Sequence, residues 1–101
     1  VDGTLPKELG GLTKLTSLLL DANSLRGSIL SEIGQLTELK ILAISFNGLT
    51  GSIPSEIGLL TRLTTLYLYC NLLSGPILNE LGQLTNLEIL WLENNNLSGT
   101  I

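Results

Sequence analysis

Leucines recur along this chain in two interleaved rhythms, and those rhythms repeat as a block. Segments beginning at Leu12, Leu36, Leu60 and Leu84 superimpose without a slip on the frame L-T-x-L-x-x-L-x-[LI]-x-x-N-x-L-x-G-x-I-x-x-E-[IL]-G-x. Within each block the pairs Leu18 and Leu20, Leu42 and Ile44, Leu66 and Leu68, and Leu90 and Leu92 alternate with polar or variable residues. A period of two predicts a short strand with one buried face. Residues 1–11 follow the tail of the same frame, and the column Leu5, Ile29, Ile53, Ile77 predicts an aliphatic residue where Ile101 stands. One strand and one turn per copy, repeated in constant phase, predicts a solenoid in which neighbouring copies stack.

The polar columns have their own physical reading. Asn23, Asn47, Asn71 and Asn95 stand where the chain leaves the strand. A side chain that both donates and accepts can satisfy loop groups otherwise buried unpaired, so these four are expected to stack as a buried ladder, with Asn47 and Asn71 deepest. Gly3, Gly27, Gly51, Gly75 and Gly99 mark the next bend, and Gly10, Gly34, Gly58 and Gly82 follow a short turn. Ser31, Ser55 and Asn79 are expected to cap that turn. The column Glu8, Glu32, Glu56, Glu80 then sits near exposed amides that favour a carboxylate. Lys14, Glu38 and Arg62 share a column of alternating sign and are expected to attract across roughly 5 Å.

Composition narrows the chemistry. The net charge is −4 with no basic run, which argues against a nucleic-acid or anionic-membrane surface. No apolar stretch of about 18 residues appears, so no membrane contact is expected of this segment, and no signal-peptide succession is visible. The chain has no histidine, which removes His-based triads and metal sites. A lone cysteine, Cys70, cannot form an internal disulfide, and its thiol is expected to be free, at a half-buried position before Asn71. No phosphate-binding glycine motif occurs, because the glycines follow the repeat. Glu88 and Glu93 face opposite ways by parity. No enzyme, cofactor or metal is expected.

The frame, and above all the stretch L-T-G-S-I-P-S-E-I-G from Leu49 to Gly58, resembles the plant-type leucine-rich repeat (LRR), whose pattern continues N-x-L-x-G-x-I-P-x-x-L-G after the strand. The resemblance covers the whole chain. It implies an α/β fold, an LRR solenoid curved as a right-handed superhelix. A parallel β-sheet lies on the concave face, with short 3-10 or helical turns and irregular segments on the convex face. The expected organisation is a single LRR domain over 1–101, with 1–11 the tail of a preceding repeat, repeats at 12–35, 36–59 and 60–83, and an incomplete repeat at 84–101. Cysteine-bearing caps usual in the family are absent, so further repeats are expected on both ends of the natural chain. Leu30 and Leu78 replace the expected proline, and Pro76 precedes Ile77. The additional strand of plant-type arrays is therefore expected to be irregular there.

The resemblance also implies that partners dock on the concave face, on the strand positions that the leucines leave free. All the aromatic residues fall there: Phe46, Tyr67, Tyr69 and Trp91, with Tyr67 and Trp91 in one column on neighbouring strands. Asp21, Lys40, Glu88 and Glu93 supply charge around them. Tyr and Trp beside acids form the composition of a binding hot spot, and the acids favour a basic partner. The family implies an extracellular or cell-surface segment that recognises a protein, peptide or glycan without catalysis. A secreted inhibitor of a cell-wall-degrading enzyme, like the polygalacturonase-inhibiting proteins, remains an alternative. A structural or ice-binding role is a third reading, suggested by the column Thr13, Thr37, Thr61, Thr85. Asn96-Leu97-Ser98 is an N-x-[ST] sequon, so Asn96 is a glycosylation candidate.

Overall fold

The computed structural model describes residues 3–98. The start of the preceding-repeat tail, the bend at Gly99 and the aliphatic position at Ile101 lie outside the described residues. The rungs stack into a curved slab of 31 × 30 × 19 Å. Strands β2 (Ser17–Leu19), β4 (Ile41–Ala43), β6 (Thr65–Tyr67) and β8 (Ile89–Trp91) form the first sheet in that order, all parallel. Its register pairs Leu18 with Leu42, Leu42 with Leu66 and Leu66 with Leu90, so equivalent positions of the repeat lie side by side. An α/β LRR solenoid is therefore the fold, with 3-10 turns in place of long helices.

Alternation along each strand sends the leucines inward. Leu42, Ile44, Leu66 and Leu68 are fully buried, with Leu36, Leu39, Leu60 and Leu63 from the segments that lead into the strands. Burying such side chains stabilises by about 1.5–3 kcal/mol each. The end rungs are thinner: Leu20, Leu90 and Leu92 are only partly buried against the same core.

Short strands after each turn, β1 (Gly3–Thr4), β3 (Leu25–Ser28), β5 (Gly48–Thr50), β7 (Ser74–Pro76) and β9 (Asn96–Ser98), build a second layer. Here Arg26 faces Gly48 and Ser74 faces Asn96, a register two residues short of the repeat period seen in the first sheet. The even slip preserves which face each residue presents. The layer splits between β5 and β7. Leu72 and Ser74 still donate to Leu49 and Gly51, at 2.8 and 2.9 Å, but Pro76 has no N–H with which to continue the series. The irregularity expected at Pro76 is thus present. The one expected at Leu30 is absent: β3 pairs on both sides. Leu30 adopts φ −80°, ψ 150°, close to the −70°, 143° of Pro54 in the same column, so leucine takes the proline geometry unaided.

Each rung closes through a 3-10 turn, at Lys7–Gly11, Ser31–Gln35, Ser55–Leu59 and Asn79–Gln83. The expectation that Ser31, Ser55 and Asn79 cap these turns is corrected. They are the first residues inside, the capping positions belong to Leu30, Pro54 and Leu78, and no side chain caps the amides. The Ser31 and Ser55 hydroxyls turn instead to Glu32 and Glu56, at 3.4 and 3.5 Å. Glycine in this turn is a packing requirement: a Cβ on Gly34 would stand 2.9 Å from the Glu56 backbone oxygen of the following rung.

Candidate functional site

The turn that ends each first-sheet strand positions everything on the concave rim. Ala22, Phe46, Cys70 and Asn94 all take left-handed backbone, φ 55° to 59°, a region costly for side chains with a Cβ. Asparagine bonds in the following position hold the turn in place. Asn71 donates Nδ2 to Ile44 O at 3.0 Å in the preceding rung and to Leu68 O at 3.1 Å in its own. Its Oδ1 accepts Leu49 N at 3.2 Å. Asn47 and Asn95 repeat the scheme, donating to Leu20 O and Leu68 O and accepting from Leu25 N and Leu73 N. Asn23, in the first rung, donates to Asp21 O at 3.0 Å. Of the four, Asn71 is buried (5% exposed), whereas Asn47 is half-buried, contrary to the depth expected for both.

The outward positions of the sheet then fall into columns. Leu19, Ala43, Tyr67 and Trp91 are register partners across the four strands. Tyr67 and Trp91 stack with centroids 4.7 Å apart and planes at 20°. Two residues further along, Tyr69 meets both rings edge-on, at 5.9 and 5.5 Å, and meets Phe46 at 5.2 Å. Phe46 is 55% exposed and Trp91 44%, so neither ring is committed to the core. Four rings thus form one connected surface, in the offset and edge-to-face geometries that aromatic quadrupoles favour.

Small residues form its floor. Ala43 and Ser45 point outward by alternation yet are buried. Ser45 N donates to Asp21 Oδ1 at 2.6 Å, while Ser45 Oγ is buried with no hydrogen-bond partner. Both Ser45 and Leu19 occupy free strand positions of this face; Leu19 is 65% exposed, whereas Ser45 is buried in the column of Asp21 and Tyr69.

Charge is distributed unevenly over this face. Asp21 and Glu93 end the column that contains Ser45 and Tyr69. The Tyr69 phenol is held above its ordinary range, first by burial against its neighbours, then by Asp21, Cys70, Tyr67 and Glu93. Lys40 and Glu88 are exposed but stand before their strands, with the Thr64 rung between them, and the structure does not bring them to the rings. Glu38, off this face, pairs with Lys14 at 3.9 Å and Arg62 at 3.7 Å. Cys70 is a half-buried free thiol, approached by Asn94 Nδ2 at 3.5 Å. Among the described residues no group of three or more His, Cys, Asp or Glu side chains could hold a metal ion. A hollow of about 450 Å³ lined by Gly11–Leu15 lies at the open first rung, away from the rings.

Comparison with known proteins places this architecture. The leucine-rich repeat family model matches residues 14–36, 38–60, 62–84 and 86–101. No curated protein sequence matches the chain. Among solved structures, the LRR ectodomain of the Arabidopsis thaliana receptor kinase GASSHO1/SCHENGEN3, in complex with CASPARIAN STRIP INTEGRITY FACTOR 2, is 41% identical with a TM-score of 0.96 over 99% of this chain. The Arabidopsis BIR3–SERK2 complex gives 44% identity and a TM-score of 0.93, again over 99%. A plant ice-binding protein gives 40% and 0.87 over 95%. This chain spans 12%, 54% and 31% of those three chains respectively. With four repeats matched by the family model and a backbone that superimposes on plant receptor ectodomains, the chain belongs to the leucine-rich repeat family, in its plant-type form.

Proposed function

We propose that the chain is a recognition segment of an extracellular plant-type LRR protein, which binds a protein or peptide on its concave face and performs no catalysis. The four-ring surface of Phe46, Tyr67, Tyr69 and Trp91 carries this reading. Exposed Tyr and Trp dominate binding hot spots because they offer large, rigid contact area with little rotamer entropy to lose. The similar ectodomains crystallised with a protein or peptide partner support it. The acids Asp21 and Glu93 favour a basic partner. An exposed Asn96 suits a glycan on a secreted chain. Gly82 suits a further rung beyond it: it keeps the glycine of its column although nothing approaches its Cβ position within 4 Å.

The test is retention of partners from extracellular fluid on the immobilised protein. Tyr67→Ala and Trp91→Ala should each weaken binding of a retained partner by about 30-fold or more, with the fold intact by circular dichroism. Lys7→Ala, outside the concave face, should leave binding unchanged. Retention insensitive to both aromatic changes would sink the reading.

A second reading, adsorption to ice, draws on the similar plant ice-binding protein and on Thr13, Thr37, Thr61 and Thr85, all exposed. Against it, the next column carries the Lys14–Glu38–Arg62 ion pairs, whose hydration opposes contact with a lattice. Thermal hysteresis abolished by Thr37→Val and Thr61→Val would support it.

A further inference from the structure

We propose that the aromatic patch seats a guanidinium: an arginine side chain of the partner lies against Trp91 and pairs with Glu93. The inference rests on the concave-face reading and adds the chemistry recognised there. It follows from what the site offers and what it lacks. Trp91 and Tyr67 present parallel rings, and Tyr69 stands at 71° to Trp91, so the patch has ring faces in two orientations. Ring faces carry negative quadrupole and attract cations, tryptophan most strongly. Glu93 lies two residues beyond Trp91 on the same side of the strand. Its carboxylate is exposed and has no ion pair among the described residues, whereas Glu38 has two.

The chain's own cations do not fill this need. Lys14 and Arg62 are held on Glu38, Lys40 stands at the far end of its strand, and Lys7 and Arg26 belong to the first 3-10 turn and to β3 of the second layer. The patch therefore offers ring faces and an unpaired carboxylate, with no cation of its own beside them among the described residues. An arginine brings five donors in a plane that can stack on indole while its edge meets a carboxylate; an ammonium offers a point charge without the stacking plane. A sugar would also stack, but it carries no charge to meet the exposed, unpaired Glu93 carboxylate.

Trp91 is the only tryptophan, so its fluorescence reports the site directly. The protein is titrated with a blocked Gly-Arg-Gly-Arg-Gly peptide, with its citrulline analogue, which keeps the shape and loses the charge, and with its lysine analogue. The arginine peptide should change Trp91 emission saturably, with citrulline at least tenfold weaker and lysine weaker than arginine. Glu93→Gln should weaken the arginine response at least fivefold, with its circular dichroism unchanged. Equal responses to arginine and citrulline, or a Glu93→Gln protein that responds normally, would overturn the proposal. So would saturation by cellotetraose with none by the arginine peptide. Loss of the arginine response while Tyr67→Ala still abolishes partner retention would reject the guanidinium and leave the concave-face reading standing.

Discussion

The Asp21 carboxylate accepts the backbone N–H of Ser45 across one rung at 2.6 Å. Placed by its column among the residues that face a partner, Asp21 thus also closes the end of strand β4, and a charge-assisted bond of this length is among the stronger kinds. Asp21→Ala should destabilise the fold by about 1–3 kcal/mol, because the Ser45 amide then lacks an acceptor. Urea denaturation measures this; an unchanged midpoint would show that water replaces the carboxylate.

Asn71 joins two rungs through both ends of one amide. Its replacement by alanine leaves the Leu49 amide short of an acceptor and removes one of the two donors to each of the Ile44 and Leu68 carbonyls, which keep Asn47 and Asn95. The expected cost is at least about 1–3 kcal/mol. Asn96→Ala, at an exposed position, should stay within about 0.5 kcal/mol of the parent. Comparable losses for the two would mean that the ladder contributes nothing particular.

Gly34 and Gly82 share a column and differ in surroundings. A methyl on Gly34 meets the Cβ and backbone oxygen of Glu56 at 2.9 Å, and backbone cannot step aside. Gly34→Ala should therefore cost about 1–3 kcal/mol through overpacking. Gly82→Ala has open space and should be neutral in this chain. In a longer natural chain the same substitution becomes costly if another rung stacks there, and thermal melting of the two lengths distinguishes the cases.

Alkaline titration bears on the patch. Burial, then Asp21, Cys70, Tyr67 and Glu93, hold the Tyr69 phenol above the ordinary range of a tyrosine. Its ionisation should be delayed in the folded protein, and Tyr69→Phe should remove the delayed component of the absorbance change near 295 nm. The sign for stability follows from linkage. Below the unfolded value both states keep the proton and the contribution is complete; as pH rises towards the folded value it is lost. Stability should fall above about pH 10, and less steeply in Tyr69→Phe.

Much of the molecule follows from the constant period alone. When each copy advances one rung, residues one period apart become lateral neighbours, so the stacking of Tyr67 on Trp91 and the ion pairs of Glu38 could be anticipated from column positions. Alternation around Leu42 and Leu66 likewise separated core from surface, since a strand's parity admits only two faces. What the period could not supply depends on the volumes and paths of non-equivalent residues. Ala43 and Ser45 face outward by parity yet are buried, which parity alone does not decide. The Asp21–Ser45 bond depends on a turn that brings an outward carboxylate over the next backbone amide. Tyr69 stands edge-on to its neighbours, a choice of rotamer that its column does not fix. Asn47 and Asn71 occupy identical phases, yet only the second is fully covered. The second layer slips by two residues because its strands are joined through loops and turns that the first sheet's register does not constrain.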